Sequence, residues 1–215
     1  MGPRGYAGRC GICPHDLLPG VKRAAILVTA LIVAVAAVVG WRWWHHRPPF
    51  GPKAMNARAT LHPADAAAVT AAFGPGRAIV AGDGDRTFLG EVTWTRPAHP
   101  RAGNSFWIVV LDKRAHVKPD MVAATSARPG DLFLGEDPVL DRAQARYPWL
   151  RGAGTVATGG GYVSRGNAVH VASVDAAPVT VEVVLPASRN PTDVLIALVS
   201  AGPDGQLYWA QRLLN

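Results

Sequence analysis

Residues 193–214 read DVLIALVS-AGPDG-QLYWAQRLL. Two apolar runs rich in aliphatic and aromatic side chains flank Ala201-Gly202-Pro203-Asp204-Gly205, a cluster of turn formers, and the pattern predicts an antiparallel hairpin. The same reading extends upstream. VTVEVVL (179–185) predicts a further strand, and GYVS and AVHVASV on either side of Arg165-Gly166-Asn167 predict a second hairpin. Asp83-Gly84-Asp85 between RAIVAG (77–82) and RTFLGEVTWT (86–95) predicts a third. In the latter strand Phe88, Val92 and Trp94 share one face, with Glu91 and Thr93 on the other. FWIVVLD (106–112) lacks this alternation, as expected of a strand buried on both faces.

Two short helices interrupt the strands. One is expected from Pro63 to Phe73, with Pro63 at the first helical position, Asp65 in the first turn and Gly74-Pro75 as the stop. The other, VLDRAQARY, is opened by Asp137-Pro138 and ended by Pro148. Eight or so strands with two short helices define a mainly-β domain over residues 58–215, a β-sandwich or partly open, barrel-like fold.

Upstream of this domain, AAILVTALIVAVAAVVGW (24–41) contains no charge and one polar side chain, Thr29. Eighteen residues rise about 27 Å as a helix, close to the hydrocarbon thickness of a bilayer. Lys22 and Arg23 bound one end, and Trp41, Arg42, Trp43 and Trp44 the other. Indole rings favour the headgroup region and an arginine can extend its guanidinium into water, so these six are the expected membrane-interface residues. The chain is thus expected to comprise a disordered cytoplasmic tail (1–23), a transmembrane helix with a Trp-rich flank (24–44), a Pro-rich spacer (45–57) and the soluble domain. A cleaved signal peptide is the weaker alternative, because the small residues Ala34-Val35-Ala36 fall inside the apolar run.

Charge follows the anchor. Formal net charge is +7. Residues 1–53 hold seven basic side chains against Asp16 alone, whereas the remainder holds 15 basic and 14 acidic. The soluble part lacks the basic excess that nucleic-acid binding requires, so no nucleic-acid partner is expected. Basic residues flank both ends of the apolar run equally. The tail is placed inside and the domain outside because an apolar segment near the N-terminus commonly acts as an uncleaved signal. Of the 22 basic residues 18 are Arg, a bias of GC-rich bacterial coding.

Candidate chemistry is sparse. Cys10-Gly11-Ile12-Cys13 supplies two thiols, and His15 a third potential zinc ligand, without a fourth. Reduced thiols without catalytic function are expected, with acylation or a metal shared across a dimer as alternatives. Gly159-Gly160-Gly161 is not followed by the Lys and Ser/Thr of a phosphate-binding loop. His62, His99, His116 and His170 show no metal-ligand spacing, Ser105 and Ser164 lie beside turns without a nucleophile motif, and Asp83 and Asp85 lack the rest of a calcium loop. No cofactor, metal or catalytic residue is therefore assigned. Most aromatics belong to strands, but Tyr147-Pro148-Trp149 ends a helix and is expected to offer a partner contact.

The expected role is a non-catalytic interaction or accessory module, anchored in the cell membrane with a protein partner in the envelope. The alternative is an anchored hydrolase whose site is assembled from His99, His116 and Asp83, Asp85 or Asp112. A third reading makes the cysteine-bearing tail the working end.

Overall fold

The computed structural model describes residues 19–75, 81–98, 103–113, 123–126, 137–154, 156–157, 165–171, 175 and 177–214. The chain divides into two units, Met1–His45 and His46–Asn215. The described part of the first is a helix, α1 (Pro19–His46), whose last residue already belongs to the second unit. Over Ala24–His46 this helix is long and apolar enough to cross a membrane, with a mean hydropathy of 2.6 and 0% of the apolar window buried.

The second unit contains α2 (Pro52–Met55), β1 (Arg58–Pro63), α3 (Ala66–Phe73), β2 (Arg86–Thr93), β3 (Ser105–Asp112), β4 (Ala123–Ser126) and α4 (Pro138–Arg146). A 3-10 turn over Pro148–Leu150 follows, then β5 (Val156–Ala157), β6 (Arg165–Gly166), β7 (Ala168–Val171), β8 (Val179–Leu185), β9 (Val194–Ala201) and β10 (Leu207–Leu214). Two antiparallel sheets result, in the orders β1-β2-β8-β4-β6-β5 and β10-β9-β3-β7. The mainly-β expectation holds: the sheets form a sandwich, not a closed barrel.

β3 explains why its sequence does not alternate. Phe106, Ile108 and Val110 enter the core between the sheets with Ile196 and Leu198 of β9 and Phe88, Val92, Val181 and Val183 of the facing sheet. Trp107, Val109 and Leu111 point the other way, with Leu195, Ala197 and Val199, against Val139, Leu140 and Ala143 of α4 and Leu150 of the 3-10 turn. The four-stranded sheet is thus the middle of three layers, and all eight residues of β9 are buried.

The C-terminal hairpin forms as expected, from Leu207 paired with Ala201 to Leu214 paired with Ile196. β10 carries two register shifts, between Leu207 and Trp209 and between Arg212 and Leu214. At the first, the extra residue lets the consecutive Tyr208 and Trp209 both enter the intersheet core. The strand face expected from Phe88, Val92 and Trp94 is also present, all three being buried.

Elsewhere tertiary pairing overrides the local pattern. The Asp83-Gly84-Asp85 turn exists: the Asp85 amide donates to the Gly82 carbonyl at 3.1 Å, and the Gly82 amide donates to Asp85 Oδ2 at 2.8 Å. β2 pairs with β1 on one side and with β8 on the other, and most of the expected partner run, residues 77–80, lies outside the described residues. Pro63 closes β1 rather than opening a helix, and α3 begins later, with Asp65 as its cap accepting from the Ala68 amide at 2.8 Å.

Arg165-Gly166-Asn167 is not a hairpin turn either. Arg165 and Gly166 pair with β5, whereas Ala168 to Val171 pair with β3 in the other sheet, so the chain changes sheets at Asn167. Asn167, 2% exposed, holds this corner. Its Nδ2 donates to the Gly152 carbonyl at 2.7 Å and its Oδ1 accepts from the Gly154 amide at 2.8 Å.

The Pro-rich stretch 45–57 is not an extended spacer along its whole length. Phe50 is 8% exposed and Met55 fully buried, both within the intersheet core. The Trp209 indole donates to the Phe50 carbonyl at 3.0 Å, and the Thr95 amide donates to the Met55 carbonyl at 2.7 Å. Burial of two large apolar side chains outweighs the extended preference of Pro48, Pro49 and Pro52. The folded unit therefore begins about a dozen residues before the expected boundary at 58.

Asn167→Ala removes the two side-chain hydrogen bonds that tie the half-buried Gly152 and Gly154 to this corner. It should lower stability by about 2–3 kcal/mol in denaturant unfolding of the full chain, whereas Asn190→Ala, at an exposed turn, should cost about 1 kcal/mol or less.

Candidate functional site

The Tyr147-Pro148-Trp149 segment is positioned by the end of α4. Asp137 caps the start of that helix, its Oδ1 accepting from the Val139 amide at 2.6 Å, and the Tyr147 amide donates to the Ala143 carbonyl at 2.7 Å. Pro148 cannot continue the helix, and the chain tightens into the 3-10 turn. Leu150 is driven fully inside, while Tyr147 and Trp149 lie partly buried along the margin of the outer core. Their ring centroids are 5.9 Å apart at 56°.

Each ring carries a cation. The Arg146 guanidinium lies 5.5 Å from the Tyr147 centroid, and that of Arg212, from β10, lies 4.8 Å from the Trp149 centroid. Both arginines are exposed. All other described aromatic residues of the second unit are buried, so this pair is its only described aromatic surface. The two side chains expected to offer a partner contact thus sit together, each beside a guanidinium. The pair is half-buried and flanked by two guanidiniums, a combination that separation in sequence concealed.

Of the groups invoked for a hydrolase, Asp112 and Asp85 have structural partners. Asp112 is buried and pairs with Arg189, Oδ2 to Nη1 at 3.0 Å, with side-chain exposures of 3% and 23%. Nearby, Lys113 Nζ donates to the Thr192 carbonyl at 2.7 Å, and Arg86 donates to the Arg189 carbonyl. This cluster fastens the loop between β8 and β9 to the end of β3. Asp85 serves the turn described above, and Asp83 is exposed. His62 is exposed on β1, whereas His170 is half-buried on β7 with its ring 4.6 Å from that of Trp107. These two histidines belong to different sheets. His99, His116, Ser164, the Gly159–Gly161 run, and Cys10, Cys13 and His15 lie outside the described residues. Among the described residues no three of His, Cys, Asp and Glu come together as a metal site.

Two polar positions escaped sequence reasoning. Glu182, 1% exposed, points away from the intersheet core on β8, between Leu89 of β2 and Thr125 of β4 in register. Its signal was available: it is the one charged residue of VTVEVVL, a strand otherwise apolar except for Thr180. Asn104, 3% exposed at the entry to β3, has neither side-chain nitrogen nor oxygen hydrogen-bonded.

The residues expected at a membrane interface all lie on α1. Trp41, Trp43 and Trp44 are 60–64% exposed, and Trp41 packs on His45 with ring centroids 4.5 Å apart. Arg42 is exposed among them, and Lys22 and Arg23 fall within the first turns of the helix. Among the described residues, every exposed large apolar side chain lies between Ile26 and Trp44. Comparison with protein-family models, with curated proteins and with solved structures finds no match to this chain.

Arg189→Ala removes the ion pair of the buried Asp112 carboxylate and should destabilise the protein by about 3 kcal/mol in chemical unfolding. In the Asp112→Asn background the same substitution should cost less than half as much, because no charge is left unpaired.

Proposed function

We propose that this protein is a single-pass anchor carrying a non-catalytic interaction module outside the cytoplasm of a bacterial cell. The observation that carries the membrane part is the complete exposure of α1's apolar surface. In water that surface would be a strong drive to aggregation; in lipid it is satisfied, and all helical backbone bonds stay internal. The tryptophans and basic residues at its ends fit the headgroup region. The segment is retained as a signal-anchor, with the N-terminal tail inside, and the bilayer is its first partner.

The interaction role of the sandwich draws support from chemistry that is present and committed elsewhere. Asp112 and Asp85 are engaged in holding loops, and the described histidines are dispersed. The half-buried aromatic pair at Tyr147 and Trp149 is the surface that a protein partner in the envelope would use. The near balance of charge in residues 54–215 argues against nucleic acid.

With tags at both ends, protease treatment of intact cells should remove the C-terminal tag and spare the N-terminal one, at the full chain length. The reverse pattern, or loss of both α1 and the N-terminal tag from the mature protein, would contradict the topology. A photoreactive side chain at position 149 should give one discrete adduct with an identified envelope protein in living cells, and the same probe at exposed Glu91 should give none. Equal adducts at both positions would remove the partner contact.

A further inference from the structure

We infer that the surface formed by Arg146, Tyr147, Trp149 and Arg212 docks an acidic segment of a partner protein through the partner's carboxylates. The inference rests on the reading of Tyr147 and Trp149 as a partner contact and adds the chemistry of what lands there.

Four observations carry it. The first is that the two rings are the only described aromatic surface of the second unit. The second is that Arg146 and Arg212 lie over those rings, both exposed and neither ion-paired. Two other described arginines do find carboxylates, Arg189 with Asp112 and Arg96 with Asp175 at 2.8 Å. The third is convergence: the two cations come from different elements, the end of α4 and β10, yet meet at one aromatic pair whose ring centroids are 5.9 Å apart. The fourth is the geometry of the guanidinium itself. A guanidinium held against an aromatic ring keeps N–H donors free, and a fork of two of them matches the two oxygens of a carboxylate. Stacking on the ring also reduces the side-chain freedom that would be lost on binding.

The partner is a protein rather than a lipid surface. Neither ring protrudes, since both are partly buried in the outer core, and among the described residues of the second unit no large apolar side chain is exposed to enter a bilayer. Free phosphate would use the guanidiniums alone and gain nothing from the rings. An acidic peptide uses both, its carboxylates on the arginines and its aliphatic stems on the ring faces. The anchoring of the site is independent of the binding groups: α4 is held by the Asp137 cap, and Arg142 donates to the Gly205 carbonyl at 2.5 Å. Arg146 and Arg212 can thus be changed without removing the supports of the helix.

The test uses the full chain in nanodiscs of zwitterionic phosphatidylcholine, with a fluorescein-labelled decaglutamate peptide as probe and decaglutamine as its neutral counterpart, read by anisotropy. Saturable binding of decaglutamate alone is expected, weakened at least tenfold by Arg146→Gln/Arg212→Gln and unchanged by Arg58→Gln at an exposed position on β1. Arg212→Lys should weaken binding severalfold although charge is kept, because the fork and the ring contact are lost; that variant also guards against misfolding as the cause. Trp149→Leu should act in the same direction. Equal binding of the two peptides, or no response to the double Arg→Gln variant, would overturn the assignment. So would displacement of the peptide by millimolar inorganic phosphate with no effect of Trp149→Leu, or capture by phosphatidylglycerol vesicles without peptide binding. If an adduct at position 149 forms in cells and survives Arg146→Gln/Arg212→Gln, the acidic chemistry fails while the partner contact stands.

Discussion

The structure depends on one constraint: β3 and β9 must be dry on both faces. A strand with only one protected face can expose alternate residues, but FWIVVLD and VLIALVS offer no polar row to expose. Their sheet therefore needs a partner on each side, the six-stranded sheet on one and α4 with its 3-10 turn on the other. Much else follows. α4 lies where it does because the outer row of Trp107, Val109, Leu195 and Val199 requires a cover, and the aromatic-arginine surface exists because that cover ends at Pro148.

The same requirement accounts for the polar fastenings. A double-faced sheet is most vulnerable at its ends, where loops must seal it without leaving backbone groups unmatched. At one end Asp112, Arg189 and Lys113 tie the loop between β8 and β9 to β3. Beside the same end, Asn167, whose carbonyl accepts from the Val110 amide at 2.8 Å, ties the sheet-changing corner to the Gly152–Gly154 turn. Both fastenings use carboxylate and amide groups to close the fold.

What the sequence disclosed was what depended on near neighbours. The C-terminal hairpin, the double-faced β3, the start of α4 at Asp137 and the apolar run of α1 all follow from short-range patterns. What it concealed depended on which strands meet. Arg165-Gly166-Asn167 has hairpin composition, yet the neighbours that decide its conformation include β4 in one sheet and β3 in the other, both tens of residues upstream. Asp83-Gly84-Asp85 makes its turn, but the flanking strand finds better partners in β1 and β8. The site was half legible for the same reason. Tyr147 and Trp149 stand out beside Pro148, whereas Arg212 joins them only because β10 passes the end of α4.

The burial of Phe50 and Met55 also fixes where the sandwich can be cut away from the residues before it. A protease that severed the chain between Met55 and Arg58 would free a sandwich stripped of two core side chains and of the carbonyl that receives the Trp209 indole. Such a fragment would be an incomplete fold. An intact sandwich requires a cut upstream of Phe50, so the bonds between Trp44 and Phe50 form a very short window for separating the two units.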